Sequence, residues 1–71
     1  MRSVRYAVVI ERAGKNYSAS SPDIPGVIAV GDTVDECRED MRDAIAAYLA
    51  ELAKDARPAP PPTTILEHIE L

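Results

Sequence analysis

The chain has 71 residues, and 8 Lys plus Arg against 12 Asp plus Glu leave it a formal charge of −4. A chain of this length makes one domain and buries only about 60% of its unfolded surface, so its small core calls for support from a disulfide, a metal or association. One Cys and one His exclude an internal disulfide and a structural zinc site. The acidic balance argues against an independent nucleic-acid binder, which carries a basic stripe, and suits a basic partner.

From Val4 to Glu11 the sequence VRYAVVIE reads as a strand, with Tyr6, Val8 and Ile10 on one face and Arg5, Ala7, Val9 and Glu11 on the other. Its apolar run is too short for a signal peptide or a membrane span, so a cytoplasmic location is expected. Ala7 and Val9 make the second face apolar too, which suits cover within the fold, cover by another subunit or ordinary exposure. Ala13-Gly14-Lys15-Asn16 is a turn. Asn16 to Ser20 then alternates Tyr17 and Ala19 against Ser18 and Ser20, which predicts a hairpin.

Next comes Pro22-Asp23-Ile24-Pro25-Gly26, a rigid turn: the prolines set φ and withhold amide donors, and Gly26 can take a positive φ. Val27 to Val30 is a third short strand, which makes an antiparallel meander. Gly31-Asp32 ends it, and Thr33-Val34-Asp35-Glu36 has the form of a capping box that starts a helix at Val34.

The helix is expected to run to about Lys54. Cys37, Met41, Ala44, Ile45, Tyr48, Leu49 and Leu52 recur at three- and four-residue steps and form one apolar stripe. Asp35, Arg38, Glu39, Arg42 and Asp43 lie opposite, as a solvated face or a partner-docking face. Asp55 to Thr63, DARPAPPPT, cannot be helix and reads as a stiff return arm of polyproline geometry. TILEHIEL, Thr64 to Leu71, alternates and is expected to be a fourth strand. The order β-β-β-α-β predicts a two-layer α+β domain, with the helix on one face of the sheet and the other face bare.

No chemistry-bearing constellation accompanies this architecture. Gly14, Gly26 and Gly31 stand apart and frame no phosphate loop. Cys37 falls on the buried stripe without a fixed His partner, and His68 has no nucleophile assigned to it. Asp32 and Asp35 are explained as turn and first-turn residues. No catalytic residue, metal or cofactor is expected, and the protein is not expected to be an enzyme.

Taken together, the strand YAVVIE, the strand NYSAS, the motif PDIPGVIAVGDTVDE, the helix AIAAYLAEL and the proline-broken exit before a last strand resemble the HicB-like antitoxins. The resemblance covers nearly the whole chain, and its specific part is the PD-x-PG turn followed by Gly-Asp-Thr and an acidic capping box. Val27 stands where members often have Cys or another small residue. The resemblance implies a partial ribonuclease H-like fold without nuclease activity. It further implies the antitoxin of a type II toxin-antitoxin module, which silences HicA, a small basic mRNA-cleaving toxin. Many such antitoxins continue into a DNA-binding domain; here residues 1–71 are expected to be a single domain without one. The turn and cap residues Pro22, Asp23, Pro25, Gly26, Gly31, Thr33 and Glu36 are expected to be structural. Asp35, Glu36, Glu39 and Asp43 are the expected toxin contacts, and a homo-oligomer is expected. A self-associating scaffold without a toxin and a metal-dependent nuclease are the competing readings.

Overall fold

The structure, a computed structural model, describes residues 4–71. It comprises β1 (Val9–Ala13), β2 (Asn16–Ser20), β3 (Ile28–Gly31) and α1 (Val34–Lys54). The three strands form one antiparallel sheet in the order β1-β2-β3, and α1 packs across it to make the two-layer α+β arrangement expected from the sequence. Gly14 and Lys15 close the first hairpin between the paired Ala13 and Asn16, with Gly14 at φ +67°.

Register decides which residues meet the helix. Ala19 stands opposite Ile10 on one side and Ala29 on the other, so this row faces α1 and Ala19 and Ala29 are buried. Their small side chains let the helix approach. Cys37, Met41 and Ile45 of α1 complete the core, with Tyr6, Val8, Ile10, Tyr17, Val27, Tyr48 and Leu49 packed around it. Every residue of the predicted helical stripe is buried or half-buried. Each large aliphatic side chain enclosed in this way contributes about 2 kcal/mol of transfer free energy.

The start of α1 shows why it begins where it does. Thr33 is in extended conformation and its Oγ1 accepts from the Glu36 amide at 3.1 Å. The Glu36 carboxylate reaches back to the amide of Asp32 at 3.3 Å, one residue earlier than the reciprocal bond of a capping box. The far end of α1 closes by a different device. Ala56 takes φ +54°, its amide donates to Ala53 O at 3.1 Å, and Arg57 N donates to Leu52 O at 2.8 Å. These two bonds form a Schellman motif, with Pro58 just beyond it to prevent continuation.

Three expectations are corrected. The alternation starts the first strand at Val4, but its ladder begins at Val9, because β2 ends at Ser20 and residues 4–8 run on past it. The third strand is shifted by one residue, to Ile28–Gly31. The fourth strand is not formed: residues 57–71 carry no regular element. Their alternation is suited to a strand, but a strand forms only where a second strand supplies ladder bonds. The polyproline arm does return along the body, where Pro60 O accepts from the Tyr6 hydroxyl at 2.7 Å.

The PDIPG turn also contributes to the core. Ile24 is fully buried, and its amide donates to Ser21 O at 3.2 Å. The turn therefore folds inward and plugs one end of the layer contact, while Gly26 takes φ +90° to lead the chain back out.

Candidate partner-binding surfaces

α1 presents its outer face as a ridge of carboxylates. Between Asp35 and Asp43 it carries five acidic residues against two arginines. The 100° step of the helix places Asp35, Glu39, Asp43 and Glu36 in the middle of the outer face and Arg38 and Arg42 toward one border. All of these residues are exposed. The four expected contacts are not equivalent. Asp35 is engaged by Arg38 at 2.7 Å, and Glu36 is occupied at the helix cap. Glu39 and Asp43 make no hydrogen bond or ion pair among the described residues, and neither does Asp40, which is absent from the four contacts expected from the sequence. Asp40 was legible in principle, since it shares the exposed arc with Glu36 and Asp43.

The second surface is the sheet face turned away from α1. Val9 and Ile28 flank Ser20, and Val30 neighbours Ser18, in the two outward rows set by the register. Ile28 and Val30 remain 69% and 54% exposed. Standing two residues apart on one strand, they put two adjacent apolar side chains on the same outward face.

Asp23 lies between the turn and the return arm. It accepts from Thr64 N at 3.1 Å, Thr64 Oγ1 at 2.8 Å and Thr63 Oγ1 at 3.2 Å. The Thr64 backbone and hydroxyl donors hold its pKa below the ordinary value. The PD-x-PG turn is thus tied to the arm across 41 residues of sequence. Local sequence assigns Asp23 to the turn alone, because its distant partners leave no local signal.

The other structural positions lie as follows. Pro22 and Pro25, both exposed, bracket Asp23 and Ile24, and Gly31 meets the start of α1 so closely that a Cβ would stand 2.6 Å from Cys37 N. Cys37 is buried with its Sγ 3.8 Å from Ala29 O, whereas His68 is exposed. Among the described residues no group of three or more His, Cys, Asp or Glu side chains is placed to hold a metal ion. No described helix is long and apolar enough to cross a membrane.

This arrangement has counterparts. The chain is 30% identical over 64 residues to an uncharacterised 14.9 kDa protein of the rep-hol intergenic region of Haemophilus phage HP1 (strain HP1c1), a match that covers 90% of this chain and 48% of that protein. In three dimensions it is similar to the crystal structure of the N-terminal domain of the Burkholderia pseudomallei antitoxin HicB. The TM-score is 0.66 at 29% identity, over 72% of this chain and 61% of that one. The chain thus spans about half the length of the phage protein it matches. The profile of the HicB-like antitoxins of bacterial toxin-antitoxin systems matches residues 6–70, and with fold and signature in agreement the chain belongs to the HicB-like antitoxin family.

Proposed function

We propose that this protein is an antitoxin that binds a small basic HicA-type toxin and covers its RNA-binding surface. The observation that carries the reading is the carboxylate ridge of α1, in which Glu39, Asp40 and Asp43 have no intramolecular partner among the described residues. A ridge of this kind accelerates encounter with a basic surface, while apolar contacts supply most of the affinity. The protein acts by occlusion and catalyses nothing itself, in the cytoplasm where its toxin would meet mRNA.

The test is a pull-down and growth-rescue assay with a toxin encoded beside it. Reversing Glu39 and Asp43 to Lys should weaken capture by about tenfold or more and flatten its salt dependence, with the helical circular dichroism unchanged. Unchanged binding and salt dependence would remove the ridge from the interface. A second reading, a self-associating scaffold without a toxin, is favoured by the exposed Ile28 and Val30. It predicts no captured toxin and an assembly that persists when the ridge charges are reversed.

A further inference from the structure

A groove lies between the N-terminal segment and α1. Val4, Tyr6 and Val8 form its one wall and Arg38, Arg42 and Ile45 the other, around a space of about 330 Å³. The return arm passes elsewhere, with Thr64 and Leu66 beside Arg5, Tyr6 and Ala7, and none of residues 55–71 lines the groove. The space is short. From Val4 to Val8 an extended chain reaches about 13 Å, and from Arg38 to Ile45 a helix rises about 10 Å.

Polar chemistry is confined to one side of this space. The Tyr6 hydroxyl donates to Pro60 O at 2.7 Å, so its one side-chain polar atom is engaged and the ring is what Tyr6 offers the groove. Arg38, Arg42 and Ile45 follow one another at four- and three-residue steps along a single line of α1. Like charges four residues apart oppose each other on a helix. Only Arg38 has a counter-ion, Asp35 at 2.7 Å; Arg42 forms no ion pair among the described residues. The rim thus sets two positive charges against one negative beside apolar walls, on a chain whose total charge is −4. A single added negative charge balances that rim.

We propose that the groove binds small amphipathic carboxylates, with the carboxylate between Arg38 and Arg42 and the apolar tail against Val4, Tyr6, Val8 and Ile45. Guanidinium groups hold a carboxylate through forked, charge-assisted hydrogen bonds, and a tail laid on apolar walls leaves water. Small-molecule clefts measure about 300–1,000 Å³, and this one stands at the lower end, which suits a tail of medium length and no folded partner. Neither part suffices alone, since an exposed ion pair adds little in water and a tail by itself fixes no orientation. Such a site is independent of toxin binding.

The test is an NMR titration of the full chain with sodium octanoate, whose extended length matches the groove. Backbone amides of residues 4–8 and 38–45 should shift together and saturate, with a Kd on the order of 0.1 mM. Octanol, which lacks the charge, should bind about tenfold more weakly, and so should octanoate to Arg42→Gln. That variant should keep its helical circular dichroism, since Arg42 is exposed and outside the core. Octanol binding as tightly as octanoate, or unchanged affinity in Arg42→Gln, would overturn the proposal. So would shifts that never saturate, or shifts centred on Ile28 and Val30, which put the tail on the outer sheet face. Shifts at 4–8 and 38–45 that follow protein concentration without octanoate would give the groove to a second copy and overturn it as well.

Discussion

Two glycines are held at their positions for different reasons. Gly26 sits at φ +90° and a Cβ built there would have nothing within 4 Å, so a side chain meets strain in the backbone and no collision. Gly26→Val should cost about 2 kcal/mol from that strain. Gly31 is the opposite case, since its Cβ would strike the Cys37 backbone, and Gly31→Ala should cost about 1–3 kcal/mol as sheet and helix are pushed apart. Urea-unfolding midpoints of the two variants check both values. Asp23 acts through charge. Its folded pKa lies below the ordinary 3.8, so its fastening of the arm is fully present above that value and is lost as pH falls through the lowered one. The protection factor of the Thr64 amide, taken relative to its intrinsic exchange rate at each pH, should fall on such acidification, and Asp23→Asn should reproduce the loosening at neutral pH.

At the level of elements, α1 was legible from end to end. Its stripe, its Thr33 start and its stop before the prolines are all local patterns that do not depend on what the helix touches. The chemistry of its C-terminus was less legible, because Ala56 occupies a left-handed position that Gly ordinarily fills. Ala56→Gly should relieve that conformation and stabilise the domain by about 1 kcal/mol, read as a raised melting temperature. The strands were legible in phase but not in extent. Tyr6, Val8 and Ile10 face the core as their alternation predicts, yet the ladder reaches only Val9. Alternation records which side of a strand is apolar; it does not record where the neighbouring strand ends.

For the whole molecule, the core is one contact layer between a sheet and a helix, and Met41 lies fully buried at its centre. Met41→Ala should remove about 2–5 kcal/mol. In a domain of this size that is a large share of the total stability, so thermal unfolding of the variant should begin near ambient temperature. The same thinness of core leaves large apolar side chains in solvent, among them Ile28 and Val30 on the outer sheet face.

The sequence by itself determined the order of the three strands and the helix that follows them, that helix with both its limits, the apolar faces and the family signature in PDIPGVIAVGDTVDE. Each rests on spacings of a few residues, and backbone geometry turns such spacings directly into faces and caps. Only the tertiary structure decided that Ile24 turns inward to complete the core and that Asp23 holds Thr63 and Thr64. It alone also decided that 65–71 stays unpaired and that Glu39, Asp40 and Asp43 stand free among the described residues while Asp35 and Glu36 are engaged. Those outcomes depend on which distant groups arrive within hydrogen-bond or packing distance, and no local pattern of residues encodes a distance across the fold.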